Sequence, residues 1–189
     1  MNQKEAIYET IDHLKKGEVI LFPSDTIWGL TCDATNAEAV ERLIELKGRS
    51  THKSFIVLVN NDRMVNQCIG DIPAVAWDMM DLAESPLTLV LDKGQFVANN
   101  VINQDGSLGI RMVKNGPIEE LVHRFNKPLV STSANFSGEP SAMSFQKINP
   151  VLKEKVDYVF PIQQDAPSST KASKIVRIRN NGEVEILRK

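Results

Sequence analysis

Two cations flank a glycine at residues 47–49, which read Lys-Gly-Arg, and Lys53 lies four residues beyond Arg49. An arginine can hold two phosphate oxygens at once through its planar guanidinium, while lysine offers a compact point charge. Lys47 and Arg49 could therefore bind the phosphates of a nucleotide. A structural role remains open, because basic residues at a helix end complement the helix dipole and Gly48 could simply end a helix.

Hydroxyl and amide side chains are concentrated over residues 131–138, which read STSANFSG. Ser131, Ser133 and Asn135 alternate at the end of an apolar run, where they could present polar groups to a ligand. The same residue types also form helix caps and Asx turns, so the segment taken alone is equally consistent with a local backbone role.

A third polar segment follows a short apolar run at residues 22–30, which read FPSDTIWGL. The end of a buried strand is a common place for a ligand site, and Thr26 could contact the ligand there. Taken alone, the segment favours a simple turn in which Asp25 caps backbone N–H groups and Trp28 joins the core. Arg111 interrupts the apolar run 108–113 and could be either a salt-bridged structural residue or an anchor for a carboxylate.

Several common kinds of site are excluded by the sequence. It contains no Gly-x-x-x-x-Gly-Lys-Ser/Thr phosphate loop, no Gly-x-Gly-x-x-Gly fingerprint and no His-Glu-x-x-His zinc helix. The histidines lack the spacing of metal ligands, and Cys32 and Cys68 are too far apart for a metal knuckle or a redox motif. We therefore predict that protein side chains build no metal site. We also predict that both cysteines are reduced thiols.

Composition indicates one globular domain over residues 1–189. The chain is 42% hydrophobic and carries a net charge of −2, which gives no broad positive surface for nucleic acid. The first 16 residues are rich in charges, and no apolar run reaches 18 residues, so we expect neither a signal peptide nor a membrane span. These features favour a cytoplasmic protein.

The elements that must position the polar segments alternate between helices and strands. Helical spacing of apolar residues predicts helices over 7–14, 36–47, 73–83 and 117–125. Apolar runs predict strands over 18–23, 55–59, 87–91, 108–113 and 129–132, and a hairpin over 174–187 turns at Asn-Asn-Gly. Residues 140–150 and 163–172 are irregular, and the second stretch could cover a cleft. The pattern predicts an α/β fold with a twisted mixed sheet and flanking helices.

Taken together, the segments at 23–30, 47–49 and 131–138 resemble the YrdC-domain threonylcarbamoyl-AMP synthases in order and spacing. The resemblance implies the YrdC-like α/β fold around a concave basic cavity. It also implies that L-threonine, bicarbonate and ATP, with Mg²⁺, are converted to threonylcarbamoyl-AMP and pyrophosphate. That product would serve tRNA threonylcarbamoyladenosine modification, with tRNA threonylcarbamoyl-transferase proteins as partners.

The resemblance also assigns expected roles to individual residues. Lys47 and Arg49 match the family's phosphate-binding pair and would act in catalysis. The expected ATP-binding residues are Lys47, Arg49, Ser131, Ser133, Asn135 and Ser173, and the expected threonine-binding residues are Thr26 and Arg111.

Two other functions remain open from the sequence. A non-catalytic module that binds double-stranded RNA or tRNA would also suit a basic concavity, although the net charge argues mildly against it. A carbamoyl-adenylate-forming domain is the third alternative, but similar domains usually belong to much longer hydrogenase-maturation chains.

Overall fold

The computed structural model describes residues 1–48, 55–162 and 172–189. Helices and strands are interspersed along the chain, and all nine strands of the described residues join one mixed sheet. The α/β prediction is confirmed. No helix in this described part of the chain is long and apolar enough to cross a membrane.

The first two helices begin and end where their capping residues predict. Helix α1 (Gln3–Lys15) opens with a capping box, in which Asn2 accepts from the backbone N–H of Glu5 and the Glu5 side chain accepts from that of Asn2. Helix α2 (Ala37–Lys47) is capped by Asn36 and ends at Gly48, whose φ of 57° lies in the left-handed region that glycine adopts without strain. The end of α2 therefore fixes where Lys47 projects.

Four further α-helices follow. They are α3 (Asp62–Cys68), α4 (Ala74–Leu82), α5 (Gly116–Phe125) and α6 (Pro150–Lys155), with a 3₁₀ turn at Phe145–Lys147. The spacing of apolar residues predicts α4 and α5. Helices α3 and α6 are missing from the sequence prediction because seven and six residues are too few to display helical periodicity.

The strands are β1 (Ile20–Pro23), β2 (Trp28–Asp33), β3 (Ile56–Val59), β4 (Leu87–Leu91), β5 (Leu108–Met112), β6 (Leu129–Ser133), β7 (Tyr158–Val159), β8 (Lys174–Ile178) and β9 (Val184–Arg188). Their spatial order is β7-β1-β2-β6-β3-β5-β4-β8-β9. The pairs β1/β7, β3/β5 and β4/β8 are parallel, and the other neighbours are antiparallel. The sheet therefore brings β6, in the second half of the chain, between β2 and β3.

Strand β2 is the main element that the sequence prediction missed. Its six residues are all buried, so it lacks the alternation of a half-exposed strand, and its sequence WGLTCD mixes apolar and polar residues. The core that surrounds it includes Phe22 and Trp28, both almost fully buried. Helices α1, α2 and α5 pack against β1, β2 and β3 and close the core.

Two glycines on central strands allow unusually close backbone approach. A Cβ atom at Gly109 would lie 2.8 Å from the carbonyl oxygen of Phe55, and one at Gly29 would lie 2.8 Å from Ser131 Oγ and 3.0 Å from the carbonyl oxygen of Thr132. Neither backbone oxygen can move without disturbing the sheet. Glycine is therefore required at these positions by packing rather than by its backbone angles.

We expect Gly109→Ala to lower the free energy of unfolding by about 1–3 kcal/mol, because the new methyl group forces β5 away from the chain at Phe55. Urea unfolding measures this loss. Gly70→Ala is the matched control, since its Cβ would meet the flexible end of Gln95 at 3.2 Å, and it should change stability by less than about 0.5 kcal/mol. Equal stability of the two variants would contradict the packing argument.

Candidate active site

A cavity of about 340 Å³ lies where the polar segments at residues 22–30 and 131–138 meet. Half of the lining residues carry hydroxyl or guanidinium groups, and the other half are apolar residues or glycine. The hydroxyl-bearing residues are Ser24, Thr26, Thr88, Ser131, Thr132, Ser133, Ser141 and Ser173, and the arginines are Arg111 and Arg188. Such a surface can donate many hydrogen bonds to the oxygens of an anionic ligand.

Five of the residues expected from the sequence line this cavity: Thr26, Arg111, Ser131, Ser133 and Ser173. Strand pairing explains their convergence. The register of β2 with β6 sets Gly29 opposite Ser133. The parallel pairing of β4 with β8 places residues 87–91 beside residues 174–178. Residues more than a hundred positions apart thus share one concave surface.

The loop between β1 and β2 is held by its own hydroxyl groups. Ser24 Oγ accepts a hydrogen bond from the backbone N–H of Thr26 at 3.1 Å and donates one to the carbonyl oxygen of Ile27 at 2.7 Å. The hydroxyl groups of Ser24 and Thr26 lie 2.8 Å apart. These contacts fix the buried Thr26 side chain at the wall of the cavity.

A second hydroxyl pair forms the opposite part of the lining, between Thr88 on β4 and Ser173. Their hydroxyl oxygens are 2.8 Å apart and both residues are buried. Arg188 reaches over from β9, and its Nε donates to the Ser173 carbonyl oxygen at 2.8 Å while Nη2 donates to Ser173 Oγ at 3.2 Å. Partial burial lowers the pKa of Arg188, which nevertheless stays charged.

Sequence reasoning missed Arg188. The Asn-Asn-Gly turn does predict that β9 folds back beside β8, but no local pattern indicates that a residue at the end of β9 reaches a distant cavity. Among the described residues, Arg188 has no ion pair with a carboxylate. Its positive charge is therefore available to an anion in the cavity.

Arg111 is buried at the base of the cavity and forms an ion pair with Asp25. The distance from Arg111 Nη2 to Asp25 Oδ1 is 2.9 Å, and the exposed fractions of the two side chains are 5% and 10%. Burial lowers the pKa of Arg111, Asp25 opposes that shift, and the nearby charge of Arg188 adds to it. An arginine retains its proton even so, which leaves a fixed positive charge in the lining.

Lys47 lies beneath the turn that follows β6 and is not among the residues that line the cavity. Its buried ammonium donates to the carbonyl oxygens of Ser133 at 2.7 Å and Asn135 at 2.9 Å. The C-terminal end of α2 delivers it there. These contacts make Lys47 a clamp on the polar turn, while its expected role in phosphate binding remains a prediction.

Asn135 also faces its own turn rather than the cavity lining. Its Nδ2 donates to the carbonyl oxygens of Phe136 at 2.9 Å and Glu139 at 2.8 Å, and its buried Oδ1 has no hydrogen-bond partner among the described residues. A buried acceptor without a donor is costly, so a ligand donor at this atom would be favourable. Arg49, the other expected phosphate ligand, lies outside the described residues.

The described lining contains no carboxylate, imidazole or thiol group. Across the described ranges, no group of three or more histidine, cysteine or acidic residues could hold a metal ion. Magnesium prefers oxygen ligands with at least one carboxylate or phosphate among them. The lining residues alone therefore do not fit a Mg²⁺ site, and such an ion would have to enter with the phosphates of a nucleotide.

Comparison with protein families supports the resemblance seen in the sequence. The Sua5/YciO/YrdC model, described as "Telomere recombination", matches residues 12–189. One relative, the threonylcarbamoyl-AMP synthase of Pseudoalteromonas translucida, is 30% identical over 161 residues, which cover 84% of this chain and 86% of the relative.

Two solved structures share the fold. YciO of E. coli has a TM-score of 0.85 at 18% identity, with 100% of this chain and 90% of that chain covered. Sua5 of P. abyssi complexed with L-threonine has a TM-score of 0.82 at 22% identity, with 94% of this chain covered. This chain spans about half of that protein, since 52% of Sua5 is covered.

Proposed function

Because this chain belongs to the Sua5/YciO/YrdC family, we propose that it is an L-threonylcarbamoyladenylate synthase, a nucleotidyltransferase that uses L-threonine, bicarbonate and ATP. The observation that carries the proposal is the convergence of five expected site residues on one cavity lined by hydroxyl groups and two arginines. A surface of donors with fixed positive charge suits substrates that are all anionic or zwitterionic.

The proposed reaction has two balanced steps. The threonine ammonium and bicarbonate give an N-carboxylate, with loss of water and one proton. A carboxylate oxygen then bonds to the α-phosphorus of ATP as the bond to the β-phosphate oxygen breaks, which yields threonylcarbamoyl-AMP and pyrophosphate. The attacking atom belongs to the carboxylated amino acid and no protein nucleophile is needed, so the protein contributes position and electrostatic stabilisation.

The residues divide between the two substrates. Arg111 and Thr26, which lie at the buried part of the lining, would receive the amino acid, with Arg111 facing its carboxylate. Ser131, Ser133, Asn135 and Ser173 would contact the nucleotide, and Arg49 its phosphates. Lys47 would act in part by holding the carbonyl groups of the polar turn, and Arg188 would add a cation to the phosphate side.

The wider setting of this function is part of the proposal. Residues 1–189 would act as a single cytoplasmic domain, and Mg²⁺ would arrive bound to ATP. The product would pass to tRNA threonylcarbamoyl-transferase proteins that modify tRNA. Retention of the short-lived adenylate in a cavity would limit its hydrolysis by water.

Omission of one substrate at a time tests the reaction. We expect pyrophosphate release only when ATP, threonine and bicarbonate are all present, because the carboxylated amino acid is the nucleophile. Release with carbamoyl phosphate in place of threonine and bicarbonate would instead indicate a carbamoyl-adenylate-forming domain. Salt-dependent RNA binding without any pyrophosphate release would favour the RNA-binding alternative.

A further inference from the structure

Asp25 forms an ion pair with Arg111, one of the two arginines that line the cavity. It follows Ser24 in the loop between β1 and β2, and its Oδ1 lies 2.9 Å from Arg111 Nη2 on β5. Its side chain is nine-tenths buried, with 10% exposed. Asp25 does not line the main cavity but a neighbouring cavity of about 170 Å³, so it approaches the guanidinium from behind.

The contact leaves part of the guanidinium without a partner. The 2.9 Å contact is an ion pair without hydrogen-bond geometry, since Asp25 Oδ1 and Arg111 Nε are both buried and make no hydrogen bond to the residues that the structure describes. An arginine has five donor hydrogens in a rigid plane, so an anchor at one end determines where the remaining donors point. Because Arg111 lines the main cavity, the ion pair also limits how its guanidinium can meet a ligand there.

A buried arginine without a counter-ion would be costly and free to change rotamer. Removing a charge from water costs several kcal/mol, which a close opposite charge partly offsets. Asp25 is the only carboxylate paired with Arg111 in the described ranges. The aspartate therefore stabilises the charge of Arg111 as well as limiting its orientation.

We propose that Asp25 is a positioning residue for the amino-acid substrate: its ion pair holds the Arg111 guanidinium from behind and so sets how that guanidinium meets the substrate carboxylate. This inference rests on the proposed synthase function. Asp25 itself does not touch the substrate, because it lies outside the lining of the main cavity. Its effect should therefore appear in threonine binding rather than in nucleotide binding.

The test compares Asp25→Ala and Asp25→Asn in the full-length chain by pyrophosphate release. We expect Asp25→Ala to raise the threonine KM at least about 10-fold while the ATP KM stays within about twofold. Asparagine keeps an oxygen beside Arg111 but lacks the charge, so Asp25→Asn should give a threonine KM between those of the wild type and the alanine variant. Far-ultraviolet circular dichroism and thermal unfolding verify that both variants are folded.

Asp33→Ala is the matched control. Asp33 is also a buried aspartate in an ion pair, with Lys127 Nζ at 2.8 Å, but it lies away from the cavity. This variant should lose stability and keep the wild-type threonine KM.

Three results would overturn the inference: a wild-type threonine KM in Asp25→Ala, equal increases in the threonine and ATP KM values, or a threonine KM in Asp25→Asn as high as that in Asp25→Ala. If the wild-type protein itself releases no pyrophosphate, the proposed function fails and not this inference alone. Threonine affinity measured by calorimetry then decides the role of Asp25 separately, since unchanged affinity in Asp25→Ala would overturn it.

Discussion

Arg111→Ala is expected to lower kcat/KM for threonine at least about 100-fold, with most of the loss in KM. The guanidinium is the buried cation of the lining, and Arg188, the other guanidinium there, is already engaged in hydrogen bonds with Ser173. The same change leaves Asp25 buried without a partner, so we also expect a loss of about 3–5 kcal/mol in the free energy of unfolding. Pyrophosphate release at varied threonine and chemical unfolding measure the two effects.

Two further variants separate the loss of substrate binding from the loss of stability. In the double variant Asp25→Ala/Arg111→Ala no charge is left uncompensated, so stability should partly recover while the threonine KM remains high. Lys127→Ala breaks the ion pair between the half-exposed Lys127 and the buried Asp33, and it should leave threonine kinetics unchanged. A wild-type threonine KM in Arg111→Ala would exclude Arg111 as the carboxylate anchor.

Lys47→Met is expected to lower Tm by about 5–10 °C and to raise the ATP KM at least about 10-fold. Methionine keeps most of the buried volume but removes the ammonium donor from the carbonyl oxygens of Ser133 and Asn135. The Ser133 oxygen still accepts from the backbone N–H of Asn135, so the cost of about 1–3 kcal/mol for an unsatisfied buried acceptor falls mainly on Asn135. Because those residues belong to the polar turn beside the cavity, the turn should lose its fixed position. Differential scanning calorimetry and ATP-dependent pyrophosphate release check both expectations.

Lys114→Met is the matched control for Lys47. Lys114 Nζ also donates to two backbone carbonyl oxygens, those of Met80 at 2.7 Å and Asp81 at 3.3 Å, but at the end of α4 rather than at the main cavity. Its replacement should lower Tm without changing the ATP KM. If Lys47→Met were as active with ATP as the wild type, neither the clamp nor the predicted phosphate contact would explain the position of Lys47.

Local sequence signals were sufficient to predict those elements whose ends and conformation depend on neighbouring residues. Asn36 and Gly48 mark the two ends of α2, and the apolar run of β4 and the Asn-Asn-Gly turn before β9 lie where the pattern predicts them. Caps, turns and apolar runs act over a few residues, so their effects can be predicted from the sequence. The polar segments are also short stretches of adjacent residues, so the family could be recognised from the sequence.

The contents of the cavity depend instead on contacts between distant parts of the chain. Ser131 was a candidate from its segment alone, but only the pairing of β6 with β2 brings it to the same surface as Thr26. The ion pair of Asp25 with Arg111 and the reach of Arg188 to Ser173 join residues that are far apart in the chain or on different strands.

By itself, the sequence determined the fold class, most of the elements, the family and most of the residues expected in the site. Only the tertiary structure decided that Lys47 clamps a turn, that Asp25 stands behind Arg111 and that Arg188 joins the lining. The physical reason is that caps and periodicity are properties of adjacent residues, whereas the direction and partner of a buried charge are set by the packing of the whole sheet.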